Sequence, residues 1–153
     1  MNRRLVVTIL SCAALVFACA PRTRTIPTDN ETQRAPTREP AANGIVFTLS
    51  DTSVAQKTSF TLALTNQGKR TEVRFTSGKT HDFVVFDDKD REVWRWSAGR
   101  IFTSALQTRQ LKSGDVLRFD ATWENAKPGN YRLVAQLNSD TNPEQLEREF
   151  IVR

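Results

Sequence analysis

Apolar residues in this chain recur at every second position in short runs, and turn-forming residues interrupt those runs roughly every ten positions. That rhythm restricts the fold more than any other feature of the sequence. A period of two puts alternate side chains on opposite faces of a strand, so each run describes a strand with one buried face. Ile45, Phe47 and Leu49 alternate in this way, as do Phe60, Leu62 and Leu64, and then Val73 with Phe75. Leu117, Phe119, Ala121 and Trp123 form another set, followed by Tyr131, Leu133, Ala135 and Leu137, and by Leu146, Phe150 and Val152. The connections are polar: DTSVAQKT, QGKRT, LKSGD, NAKPGN and DTNPE, with Pro128-Gly129 suited to the centre of a type II turn. Short strands at this spacing predict an all-β fold, an antiparallel Ig-like β-sandwich of roughly eight or nine strands without a disulfide. The one piece open to a helical turn is Arg100 to Gln107.

The chain is densest in large side chains from Phe75 to Leu106, which holds two of the three tryptophans and four of the nine phenylalanines. HDFVVFD and EVWRW read as two strands joined by the polar turn DDKDRE. Trp94 and Trp96 share one face of the second strand, and Val93 and Arg95 the other. Phe83, Val84, Val85 and Phe86 are all apolar, so both faces of the first strand need cover. An opposing sheet supplies one. The expected cover for the other is the connection SAGRIFTSAL, folded as a flap that brings Ile101, Phe102 and Leu106 across it.

This stretch resembles the BsuPI intracellular proteinase inhibitor family. The residues that carry the resemblance are Phe75, Ser77, Gly78, Asp82 to Val85, Glu92 to Ser97, Gly99, Phe102, Thr103, Ala105 and Leu106. It extends back through LALTNQGK and forward through LKSGDVLRFDATW and PGNYRL, from Phe60 to about Leu137. The family usually has Gly in the turn before E-V-W; here Asp90-Arg91 stands there, and Asp tolerates a left-handed backbone better than most residues. The resemblance implies the same all-β fold and, as an activity, inhibition of a proteinase.

Net charge is +5, but the excess is uneven and the domain is nearly neutral. Residues 1–19 carry two arginines and no acid, residues 20–43 four arginines against three acids, and the remainder 16 basic against 14 acidic residues. A nucleic-acid partner calls for basic residues concentrated on the domain, and none is expected here. Arg3 and Arg4 followed by an uncharged run from Leu5 to Ala18 read as a signal peptide over 1–18, too short to span a bilayer. The run ends in Val16-Phe17-Ala18-Cys19, similar to a bacterial lipobox, which makes Cys19 the site of lipid attachment. A plain secretory signal cleaved nearby is the other reading. An exported lipoprotein is expected, on the outer membrane of a cell that has one and otherwise on the cell membrane surface. Residues 19–43 then comprise the lipidated cysteine and a Thr/Pro-rich disordered tether with four of the six prolines, and residues 44–153 the domain. As a flexible coil the tether would hold the domain about 25–30 Å from the bilayer.

Four constellations invite a chemical reading. Ser77, His81 and Asp82 contain the only histidine, but neighbours on a strand point to opposite faces, so a triad is not expected and His81 reads as a solvent-facing residue at a strand entrance. Asp87, Asp88, Asp90 and Glu92 offer carboxylates for Ca²⁺, yet Lys89 and Arg91 sit among them and the Gly and distant Glu of an EF-hand are missing. A solvated hairpin turn is the plainer account, and no metal or other cofactor is expected. Trp94, Trp96 and Trp123 offer an aromatic platform; the first two read as core and Trp123, near a strand end, as partly exposed. SAGRIFTSAL is either the packed flap or a contact loop for another protein.

No pattern here calls for an enzyme. The first reading of function is a membrane-anchored protein-interaction module. The alternative, implied by the family resemblance, is an inhibitor of an extracytoplasmic serine proteinase. Candidate contact residues are Arg100, Ile101, Phe102 and Trp123, with Arg100 suited to an acidic specificity pocket and Ile101 and Phe102 to an apolar one. The partner is then another protein, a proteinase on the second reading, and the membrane is reached through the lipid anchor.

Overall fold

The computed structural model describes residues 44–153. The signal segment, Cys19 and the tether lie outside the described residues. Nine strands follow in order: β1 (Ile45–Val54), β2 (Lys57–Asn66), β3 (Thr71–Phe75), β4 (His81–Asp87), β5 (Glu92–Arg95), β6 (Gln107–Leu111), β7 (Val116–Trp123), β8 (Gly129–Leu137) and β9 (Glu144–Val152). They form a three-stranded sheet β1-β2-β7, a four-stranded sheet β5-β4-β8-β9 and a two-stranded pair β3-β6, all antiparallel. No described residue is helical, and none is a cysteine, so the described sandwich stands without a disulfide.

The alternation seen in the sequence is the alternation of burial. Phe47, Leu49, Phe60, Leu62, Leu64 and Phe119 from one sheet meet Phe83, Val85, Leu133, Ala135, Leu146 and Phe150 from the other in one continuous core. Phe60 reaches two strands of the facing sheet, with ring centroids 6.1 Å from Phe83 on β4 and 5.4 Å from Phe150 on β9. One inward position is charged. Arg148 interrupts the series between Leu146 and Phe150, and its guanidinium is paired with Asp51 of β1, both side chains less than a tenth exposed. A charge taken that far from water must be paired, and here the pair ties the β9 edge to the β1 edge.

Several local expectations change. DTSVAQKT is not a connection: β1 and β2 run through it and reverse at Ala55-Gln56 alone, with Ala55 at φ 53°. Thr52 and Val54 are β-formers, and an edge hairpin has water to solvate the polar atoms around them. In NAKPGN the left-handed residue is Asn125, at φ 57°, while Gly129 opens β8. A Cβ on Gly129 would sit 3.3 Å from the Tyr131 ring, so the glycine clears space for that ring. Asp90 does take the left-handed conformation, at φ 56°, where the family usually has Gly. A register shift between Val85 and Phe86 leaves Val93 as a bulge and turns Glu92 to the face of Arg95, which it binds at 2.9 Å and 2.5 Å.

The segment after β5 is not the expected flap. Ile101 is 100% exposed and Leu106 81% exposed, so neither covers the outer face of β4. That face is covered by long polar side chains instead. The Arg132 guanidinium lies 4.6 Å from the centroid of Phe86, and Arg95 reaches Asp82. Aliphatic stems shield the strand while their charged ends stay wet.

Candidate functional site

Between β5 and β6 the chain makes a tight turn and then runs without regular structure from Ile101 to Leu106, where Phe102 is half-buried and the other five residues are exposed. The turn forms because Ala98 N donates to the Arg95 carbonyl at 3.2 Å, Arg100 N donates to the Ser97 carbonyl at 3.1 Å, and Gly99 supplies a φ of 69°. Beyond it, backbone that belongs to no sheet is held in place by three separate contacts.

The first is a buried carboxylate. Asp82, on the outer face of β4, has a fully buried side chain. Its Oδ2 accepts from Ser97 Oγ at 2.6 Å and pairs with Lys79 Nζ at 2.6 Å and Arg95 Nη1 at 3.4 Å. Its Oδ1 accepts from Ser97 N at 3.2 Å and from Phe83 N at 3.0 Å. Burial pushes this carboxyl up, but the hydrogen bonds from Lys79 and Ser97 outweigh it and hold the group below its ordinary value.

The second is an indole. Trp96 N donates to the Phe83 carbonyl at 2.9 Å, which fixes the residue at the end of β5 with its ring against the core. Arg100 folds back on it: Nε donates to the Trp96 carbonyl at 2.7 Å and the guanidinium carbon lies 4.7 Å from the ring centroid. The ring of Phe102 lies 5.6 Å from the same indole. Beneath the indole is His81, centroid to centroid 4.1 Å, with Phe119 on β7 at 4.7 Å.

The third is a backbone bond. Gly78 N donates to the Thr103 carbonyl at 2.8 Å. A Cβ on Gly78 would lie 3.0 Å from Thr103 Oγ1 and 3.2 Å from Thr103 N, so this approach needs glycine. Lys79, next in the chain, carries the ammonium that reaches Asp82, which connects the first and third contacts.

His81 is not solvent-facing as expected. It is 8% exposed, its Nδ1 is 3.0 Å from Thr80 Oγ1, and its buried Nε2 has no hydrogen-bond partner. Burial lowers its pKa to about 4; the Asp82 and Asp120 carboxylates oppose that and the Arg100 charge reinforces it. A strand entrance beside aromatic residues on two other elements is a covered place, which the sequence did not reveal. His81 and Asp82 lie on opposite faces, and Ser77 Oγ is occupied by Lys79 N at 3.2 Å, so the three do not converge.

Trp123 is also corrected. It is 8% exposed, because Trp94 at 6.4 Å and Tyr131 at 5.0 Å close over it from the facing sheet, and it leaves the set of contact residues. Trp94 and Trp96 are the half-buried pair, packed against the core. The acidic turn is locked by its own cations. Asp87 accepts from Arg91 Nε at 2.8 Å and from the Lys89 and Arg91 backbone at 3.0 Å, which lowers its pKa to about 2. Asp90 is bound by Arg132 at 2.7 Å. Among the described residues no three of His, Cys, Asp and Glu are grouped to hold a metal ion.

Sequence reasoning named Asp82 only as a triad candidate and a residue of the resemblance, missing its part as a buried brace, and it missed Asn66 altogether. Asn66 is buried, and its amide donates to the Lys69 and Leu111 carbonyls at 2.8 Å and 3.0 Å while its oxygen accepts from Gly68 N at 3.0 Å. A polar residue at an otherwise apolar strand position was the available signal for both.

The family model described as "BsuPI: Intracellular proteinase inhibitor" matches residues 45–142, which include all three contacts. No curated protein matches the chain. Solved structures share parts of the fold at low identity. A β-glucosidase from Kluyveromyces marxianus is 14% identical with a TM-score of 0.37, over 69% of this chain and 13% of that one. A β-glucosidase from Erythrobacter marinus is 10% identical with a TM-score of 0.34, over 70% and 16%. The sporulation control protein Spo0M from Bacillus subtilis is 12% identical with a TM-score of 0.34, over 71% and 47%. This chain therefore spans less than half the length of each of these three.

Proposed function

Because the chain belongs to the BsuPI family, intracellular proteinase inhibitors by description, we propose that its domain inhibits a proteinase and presents residues 96–106 to that enzyme. The observation that carries the reading is the combination of exposure and restraint in this segment. Ile101 to Leu106 form no strand or helix, yet Asp82, Trp96 and Gly78 hold the segment at its start and middle. A proteinase binds its substrates as exposed, irregular chain. An inhibitor that binds the same way gains when the ordering entropy has already been lost on folding. Inhibitors of that kind commonly use disulfides for the purpose; here a buried carboxylate and an indole take that role.

Family membership favours inhibition over the broader interaction module, which the sequence placed first. The proposal extends to location. VFAC at residues 16–19 supports lipid attachment at Cys19, and the tether then sets the domain outside the membrane, facing an extracytoplasmic enzyme. The test of inhibition is titration of the full chain against a panel of serine proteinases. Stoichiometric loss of activity of at least one of them is expected. An inert panel would return the domain to the interaction-module reading.

A further inference from the structure

The prominent side chains of the segment are not equally free. Arg100, the sequence's candidate for an acidic specificity pocket, is committed within its own chain: Nε is bonded to the Trp96 carbonyl at 2.7 Å and the guanidinium lies on the indole at 4.7 Å. Phe102 is committed to the same ring at 5.6 Å. Ile101 stands between them and is 100% exposed. Two neighbours held by one indole thus fix the backbone of Ile101 with its side chain directed outward.

We infer that Ile101 fills the primary pocket of the target, which is therefore a proteinase with an apolar pocket rather than one that selects arginine or lysine. This rests on the inhibitor reading of the same segment and adds the chemistry of the partner. Burial of Ile101 removes a wholly exposed apolar side chain from water. A β-branched side chain has little rotamer freedom to lose, and its backbone is already held. Arg100 in that role would first have to give up its hydrogen bond and its place on the indole, and would enter the pocket as a long, flexible side chain with more freedom to lose.

The test uses the full chain against two proteinases, one that cleaves after apolar residues and one that cleaves after arginine and lysine. The wild type should inhibit the first and spare the second. Ile101→Ala should weaken inhibition about a hundredfold, as expected when most of a pocket-filling side chain is removed. Its melting temperature should not change, since Ile101 touches nothing that holds the fold. Ile101→Arg should transfer inhibition to the second enzyme. Inhibition of the arginine-selective enzyme by the wild type, abolished by Arg100→Ala, would overturn the inference and leave the inhibitor reading standing. So would inhibition of either enzyme that Ile101→Ala does not alter. If neither enzyme is inhibited, the inhibitor reading and this inference fall together.

Discussion

Asp82 and Ser97, 15 residues apart in the chain, are joined by two hydrogen bonds, one to each oxygen of a single buried carboxylate, from Ser97 Oγ at 2.6 Å and Ser97 N at 3.2 Å. The pair ties the middle of the four-stranded sheet to the turn from which the exposed segment departs. Lys79, bound to the same carboxylate, ties in the Gly78 backbone that holds Thr103.

Asp82→Asn should be costly for its size. The amide keeps one acceptor oxygen and turns a donor toward the Lys79 and Arg95 cations or the Ser97 donors. A loss of about 2–4 kcal/mol in stability is expected from equilibrium unfolding. Hydrogen exchange should accelerate over residues 97–106 more than in the β1-β2 hairpin. A variant with native stability and unchanged exchange there would remove Asp82 as the brace.

Acid should weaken the fold in two stages. His81 has a folded-state pKa of about 4, below its ordinary value of about 6.5, so as pH falls the unfolded chain takes up the proton first. Stability should therefore fall between about pH 6.5 and pH 4 and level off below, by on the order of 3 kcal/mol in all. Asp82 acts lower: its depressed pKa contributes stability that is present above about pH 4 and is lost as pH falls through the folded value. Melting curves of the wild type and His81→Phe from neutral pH down to well below pH 4 separate the two, since the variant should lose the first stage and keep the second. An unchanged first stage would mean that His81 does not titrate with folding.

Phe102→Ala should lower stability by about 1–2 kcal/mol, because the ring is half-buried on Trp96. Ile101→Ala should stay within about 0.5 kcal/mol. Equal effects in equilibrium unfolding would contradict the division between an anchoring and a presented side chain.

Trp123→Ala should cost about 3–5 kcal/mol, since the indole is enclosed by Trp94 and Tyr131. A cost below about 1 kcal/mol would return Trp123 to the surface.

Cys19→Ala should release the protein from membranes or stall its processing, if the VFAC motif directs lipid attachment. Fractionation of cells that carry the wild type and the variant decides it; membrane association and processing identical in both would end the lipoprotein reading.

The sequence by itself determined the fold class, most of the strand positions and most of the core; β6, polar but for Leu111, went unread because it lacks the alternation. Period-two alternation is a local property, so Phe60, Leu62 and Leu64 declare their shared face without reference to any partner. It also marked the region of interest, since residues 96–106 lie inside the string that resembles the family. What the alternation does not carry is which element covers which. His81 and Trp123 are buried because Trp96 and Phe119 close over one, and Trp94 and Tyr131 over the other, from distant strands. The role of Asp82 depends on donors at residues 79, 95 and 97 that only the strand pairing and two turns bring together. Arg100, Ile101 and Phe102 are adjacent and equally prominent as letters. The tertiary structure separates them, because one indole takes the guanidinium and the phenyl ring and the residue between them is left in solvent.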